Sequence, residues 1–242
     1  NIQNIYPADP SHAIYVSPRA AGVMNGSLSI GLLDVQNCTH TTGKVDKDAF
    51  SIRSTKFANI ERLIIDDASF VGNTRDSAIL EINSLIANLK ASASVGEITF
   101  ALSAQSGSRI VINNIDLTSR NASDNSFANP IFQHSGTNST IEIKSGKIQV
   151  LGANPSHISY GTGGKLTVVD GVEITYENEI PSTSASRYAF VALSGVSFVS
   201  FGAVKLTGNA SRLLDITNSD HEVKINPNLI KSGIMPLTYV NQ

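Results

Sequence analysis

The 242-residue chain contains no tryptophan, two methionines and one cysteine, Cys38. A lone thiol cannot close an internal disulfide, so a cystine-stapled scaffold is excluded. Charge is sparse and nearly balanced: 18 Lys and Arg against 20 Asp and Glu leave a formal −2. With no basic run to neutralise a row of phosphates, a nucleic-acid partner is not expected. No apolar stretch approaches the roughly 18 residues that a membrane-spanning helix needs, so no membrane insertion is expected. The sequence opens Asn-Ile-Gln, without an initiator Met or a signal-peptide pattern. It is therefore expected to be a piece of a longer polypeptide that carries its attachment or targeting information elsewhere.

In place of these residues the chain is rich in small polar side chains. Ser, Asn and Thr number 31, 21 and 16. A helical protein would draw on Ala, Leu, Glu and Lys instead; this mixture with Ile and Val suits strands joined by many short turns. At 41% hydrophobic residues, the chain can fill a core and is not expected to be disordered.

An internal repeat organises the sequence. The segments 27–35, 62–71, 109–117, 140–150, 165–174 and 197–206 share one template, and 222–230 fits it as well. The template is apolar–polar alternation, a tight polar break, then alternation again. The breaks hold Asn113-Asn114, Ser145-Gly146, Asp170-Gly171 or Pro227-Asn228, residues that favour turns. A further strand phrase precedes each pair: AIYVS (13–17), FSIRS (50–54), ILEIN (79–83), TFALS (99–103), IFQHS (131–135), HISYG (157–161), FVALS (190–194) and LLDIT (213–217). Fixed spacing within the pair and variable loops outside it describe a solenoid whose coils stack on one another. The expected fold is all-β: a right-handed, single-stranded parallel β-helix of about eight coils with three short strands per coil. The helix would span 12–234, with 1–11 a lead-in or cap and 235–242 a C-terminal cap or continuation. A β-sandwich would not repeat one three-strand phrase in the same order, and helical repeats lack their periodicity here. Residues 82–94 fit either a strand or a helix face and are read as an irregular coil or a small helical excursion.

Alternation then sorts side chains into two faces. Ile110, Ile112, Ile115, Leu117, Ile141, Ile143, Ile148 and Val150 are expected inside, with Glu142 and Glu173 outside. An outer stripe of Ser29, Ile64, Val111, Glu142, Thr167, Val199 and Lys224 is expected, together with Ile52 and Ile230. Its apolar members could be ordinary surface residues or a self-association face.

Coils such as PIFQHSGTNSTIEIKSGKIQVLG (130–152) resemble the right-handed parallel β-helices of bacteriophage tailspikes and tail fibres, relatives of the pectate-lyase fold. The resemblance runs over roughly 12–234 and lies in coil texture and composition. It implies a homotrimer on a virion tail that recognises, and in some cases depolymerises, a bacterial surface polysaccharide such as capsule or lipopolysaccharide. The calcium-binding aspartates and catalytic arginine of pectate lyases cannot be matched residue by residue here, which places hydrolysis ahead of lyase chemistry. A non-catalytic adhesin or passenger-type solenoid at a bacterial surface, or secreted, is the alternative, and a structural shaft segment is a third.

Hydrolysis of a glycoside usually needs two carboxyl groups, held about 6.5–9.5 Å apart in inverting enzymes. Outward positions on the third strand are expected to stack as Asp116, Gln149, Glu173 and Lys205. Asp116 and Glu173 would then be a catalytic pair two coils apart, about 9.6 Å at the backbone. Gln149 and Lys205 would bind substrate, and so would Glu81 and Asp215, from other coils or another subunit. The plain alternative is that these are the solvated charges of any solenoid. Asp66-Asp67 is read as a turn cap. Tyr15, Tyr160, Tyr176 and Tyr188 remain for stacking on sugars, with Tyr160 on the inward register. The histidines show no metal-ligand spacing, and His134 is read as a packed core residue. Gly161-Thr162-Gly163-Gly164 is read as a coil corner, since no Lys-Ser or Lys-Thr follows. The Asn-X-Ser/Thr sequons, from Asn25 to Asn209, are expected by chance. No metal or cofactor is implied.

Overall fold

A computed structural model describes residues 2–3, 14–16, 25–36, 50–66, 71–90, 101–121, 131–152, 157–168, 172–178, 188–192, 197–201, 205–207, 212–216, 222–225 and 230–232. In chain order the strands are β1 (Ile2–Gln3), β2 (Ile14–Val16), β3 (Asn25–Gln36), β4 (Phe50–Arg53), β5 (Thr55–Asp66), β6 (Gly72–Arg75), β7 (Ile79–Lys90), β8 (Leu102–Gln105), β9 (Arg109–Ile112), β10 (Ile115–Asn121) and β11 (Phe132–Ser135). They continue as β12 (Thr140–Ile143), β13 (Gly146–Gly152), β14 (Ser159–Thr162), β15 (Gly164–Val168), β16 (Val172–Asn178), β17 (Tyr188–Ala192), β18 (Ser197–Phe201), β19 (Lys205–Thr207), β20 (Arg212–Ile216), β21 (Glu222–Ile225) and β22 (Ile230–Ser232). Among the described residues there is no helix, and every strand pairing is parallel. The fold is a parallel β-solenoid with two walls. A narrow sheet runs β2-β4-β6-β8-β11-β14-β17-β20, and a broad sheet holds the remaining strands.

The repeated Ile and Val produce this geometry because branched side chains pack well on a pleated surface and alternate in direction. Inward positions of neighbouring strands lie opposite one another: Leu80, Ile110 and Ile141 in one column, Ile82, Ile112 and Ile143 in the next. All six are fully buried, each contributing about 1.5–3 kcal/mol of transfer free energy. Leu117, Ile148 and Ile174 make a third column.

The corners between the two walls carry backbone that L-residues seldom adopt. Positive φ occurs at Asp76 and Ser77, at Ser106 and Gly107, at Gly136 and Asn138, and at Gly163 and Gly164. Buried serines satisfy the turn backbone. Ser108 Oγ donates to the Thr74 carbonyl at 2.7 Å and accepts from the Gln105 N–H at 2.9 Å. One coil on, Ser139 Oγ donates to the Ser135 carbonyl at 2.6 Å and accepts from the Gly107 N–H at 3.0 Å. Of the expected corner Gly161–Gly164, Gly163 and Gly164 turn the chain with positive φ, whereas Gly161 and Thr162 belong to β14; His134 is packed as expected, with Nδ1 2.9 Å from the Gly163 carbonyl oxygen.

Several expectations about phase are corrected. ILEIN belongs to β7 of the broad sheet; the narrow-sheet strand of that coil is Gly72–Arg75, which carries no apolar alternation. β3, β5 and β7 are unbroken twelve-residue strands, so SLSIGLLDV contains no turn and the residues from 82 to 90 are strand. Leu85, Ala87 and Leu89 are buried there. The polar break appears further on, where β7 is faced by β9 and then by β10. Ile52 is buried, and Val199 lies opposite Leu166 and Val223, in the register column of Ile110 and Ile141. Val111 is nearly buried between Glu81 and Glu142, while Ile64 pairs with Ile86 five positions along the strand. The expected outer apolar stripe is therefore not one stripe. Ile230 lies opposite Lys205 in the strand register. Tyr160 is half-exposed on the outward side, beside Gln133, whereas Tyr176 is fully buried and cannot stack on a ligand. Cys38, Asp67, His12, His40, His221 and residues 235–242 lie outside the described residues.

Candidate functional site

The broad sheet's outer face positions most of the expected site residues, in columns set by strand register. Asp116 lies opposite Lys147, Lys147 opposite Glu173, and Glu173 opposite Lys205. The expected order, with Gln149 between the two acids, is corrected: Gln149 lies opposite Thr118 and Thr175 in the next outward column. The cause is Gly146. Read as a turn residue, it is instead the first residue of β13 and sits opposite Ile115. That moves Ile148 opposite Leu117 and brings Lys147 opposite Asp116.

Lys147 Nζ is 3.3 Å from Asp116 Oδ1, with both side chains about half exposed (49% and 50%). Two strand spacings still separate Asp116 from Glu173, about 9.6 Å at the backbone. An ammonium group occupies the column between them, where hydrolysis would need a water or a sugar oxygen. The pattern Asp116, Lys147, Glu173, Lys205 is an alternating charge ladder, the cross-strand arrangement that stabilises a sheet.

Beside it runs an almost uncharged column: Asp66, Asn88, Thr118, Gln149 and Thr175. Asn88 Nδ2 donates to Asp66 Oδ1 at 2.9 Å, and Thr118 Oγ1 donates to Gln149 Oε1 at 3.4 Å. Asp66 thus accepts from a side chain one coil away, in place of the expected turn cap. Glu81 lies in a separate network. Its Oε1 accepts from Asn113 Nδ2 at 2.6 Å; the same amide donates to Asn83 Oδ1 at 2.7 Å, and Asn83 Nδ2 donates to Glu61 Oε2 at 2.6 Å. Glu81 is five residues from Ile86, the position opposite Asp116. Asp215 is on the narrow sheet, opposite Val191. The structure therefore does not bring the four expected carboxylates to one point.

On the narrow sheet Ser103, Gln133 and Tyr160 are neighbours in one register column, Ser103 fully buried and Gln133 and Tyr160 half-buried. Ser103 Oγ donates to Gln133 Oε1 at 3.3 Å and accepts from Gln105 Nε2 at 2.9 Å. Partial burial pushes the Tyr160 hydroxyl pKa up from its ordinary value. Sequence reasoning missed Lys147, Thr118, Thr175 and Gln133. The alternation Lys147-Ile148-Gln149-Val150 marked the outward positions but could not say what lay across from them.

Among the described residues no group of three or more His, Cys, Asp or Glu side chains is placed to hold a metal ion. No protein-family model, curated protein or solved structure matches the chain.

Proposed function

We propose that the chain is a glycan-recognising solenoid that binds a bacterial surface polysaccharide along its outer face. The observation that carries this reading is the column Asn88, Thr118, Gln149 and Thr175. It offers one amide or hydroxyl per coil at a step of about 4.8 Å. A periodic row of neutral donors and acceptors suits a polymer of hydroxyl-bearing units better than a charged or apolar partner. Recognition is favoured over cleavage because Lys147 stands between the two acids and bonds one of them. The fuller reading is a tailspike or tail-fibre module on a virion: a right-handed helix of about eight coils and three strands per coil. Its homotrimer would be joined through the outward, half-exposed Ile64 and Ile86.

The test is binding to arrayed capsular and lipopolysaccharide preparations, with release of reducing ends followed in parallel. The expected result is retention on at least one polymer, weakened by Gln149→Ala together with Thr175→Val, without release of reducing ends. Absence of binding to every polymer would dismiss glycan recognition and leave the structural-shaft reading. Cleavage that disappears in Asp116→Asn or Glu173→Gln would restore the hydrolase.

A further inference from the structure

The narrow sheet places two arginines against each other. Arg53, at the end of β4, lies opposite Arg75, at the end of β6, one strand spacing of about 4.8 Å away. Thr74 faces Ala104, which sets Arg75 beside Gln105, and the column continues through Ser135 and Thr162. All five of these residues are half-buried, whereas the alternate residues Ile52, Thr74, Ala104 and His134 are fully buried. Like charges directly opposite one another destabilise a sheet. The broad sheet avoids this by alternating Asp116, Lys147, Glu173 and Lys205.

Compensation on the narrow sheet stops halfway. Asp76 Oδ2 accepts from Arg53 Nε at 2.8 Å, the Arg53 and Asp76 side chains being 38% and 37% exposed. No ion pair or side-chain hydrogen bond joins Arg75 to any described residue, and its Nε is buried without a partner. Buried polar groups in native structures are nearly always paired, and a guanidinium cannot shed its charge to escape the cost. Among the described residues, two cations and one carboxylate leave one positive charge on this wall unmet.

We infer that Arg75 anchors a second binding site, which takes the carboxylate of an acidic sugar. The terminal nitrogens of a guanidinium fork onto the two oxygens of a carboxylate in a planar, bidentate contact. Arg53, held by Asp76, adds positive charge one strand away. Beyond Arg75 the column turns neutral. Gln105, Ser135 and Thr162 offer an amide and two hydroxyls, one per coil, to the hydroxyls of the same saccharide. A bare phosphate would use the guanidinium and leave those groups idle. The carboxylate follows from the guanidinium; the sugar that bears it rests on the glycan reading proposed above. The site is separate from the neutral column through Gln149, which belongs to the broad sheet.

The experiment is a nuclear magnetic resonance titration of the whole chain with glucuronate, glucose and inorganic phosphate. It follows the Arg75 Nε–H and the backbone amides of Arg75 and Gln105. Glucuronate should shift these signals saturably and bind about tenfold or more tighter than glucose or phosphate, the order expected of a charge-assisted contact. Arg75→Gln should remove that advantage. Asp76→Asn should act in the opposite direction. Asn tolerates the φ of 55° at this corner as Asp does, so the fold is kept, while loss of the neighbouring negative charge tightens glucuronate binding severalfold. A variant that only disturbed packing would gain no affinity. Unmoved signals with glucuronate, phosphate bound as tightly as glucuronate, or no gain in Asp76→Asn would overturn the site. Polymer retention that still depends on Gln149 and Thr175, with Arg75 unmoved by glucuronate, would overturn this site alone. A chain that binds glucuronate at Arg75 but no polymer would retain the site and dismiss the polymer reading of the broad sheet.

Discussion

Gly146→Ala tests whether backbone register, rather than turn preference, fixes glycine at that position. Gly146 has φ 113° and faces Ile115 across β10 and β13. A Cβ there would stand 1.9 Å from the Ile115 carbonyl oxygen and 2.7 Å from its nitrogen, where ordinary contact begins at 3.4 Å. β13 would have to retreat by about 1.5 Å, stretching the Ile115 N–H bond to the Ser145 carbonyl, now 3.0 Å. Left-handed backbone for an L-residue costs about 1–3 kcal/mol, overpacking about 1–3 kcal/mol and a lost hydrogen bond about 1 kcal/mol. Together these reach about 3–7 kcal/mol, a large part of the roughly 5–15 kcal/mol that holds a domain folded. Gly136→Ala is the internal control. Its φ is 77°, but the nearest atom to an added Cβ is 3.5 Å away, so only the conformational cost of about 1–2 kcal/mol applies. Urea titration followed by circular dichroism compares the two, and hydrogen exchange at residues 115 and 146 shows where the damage lies. Gly146→Ala no worse than Gly136→Ala would refute the close-approach argument.

Three further outcomes are expected. Ser108→Ala removes the partner of both the Thr74 carbonyl and the Gln105 N–H at a fully buried corner; thermal melts should show a loss of about 1–3 kcal/mol. Lys147→Ala should change stability by less than about 1 kcal/mol in the same melts, because the pair with Asp116 is half exposed and solvent screens it. Tyr160 has a raised pKa in the folded chain, so the unfolded chain ionises first and stability falls as pH climbs past 10.0, the value of a free tyrosine. Tyr160→Phe should lessen that alkaline loss, seen as a smaller drop in urea midpoint between about pH 8 and pH 11. An equal drop in both proteins would show that Tyr160 is not responsible.

The faces of the sheet were legible because side-chain direction has period two: Ile110, Ile112, Ile141 and Ile143 are as buried as their alternation implied. What lay opposite each residue was less legible. Aligning the first apolar residue after each break matched Ile115 with Ile148 and so Asp116 with Gln149. Glycine has no side chain to mark its face, so Gly146 passed for a turn while occupying an inward rung. Gly72–Arg75 escaped notice for a related reason. Phe50 fills the space at Gly72, where an added Cβ would stand 2.0 Å from the ring, so one large side chain serves two coils. The proposed glycan column could not be found until the register was known, because its members are unremarkable in sequence and acquire a pattern only across strands.

Each described strand hydrogen-bonds to strands of the neighbouring turns, which makes the molecule behave like a screw thread. An extra residue inside β10 or β13 would swap every outward and inward position beyond it, whereas the same residue between β10 and β11 would leave the thread undisturbed. Variation in length therefore has a permitted address, the connections between strands, which can diversify without the walls being re-cut.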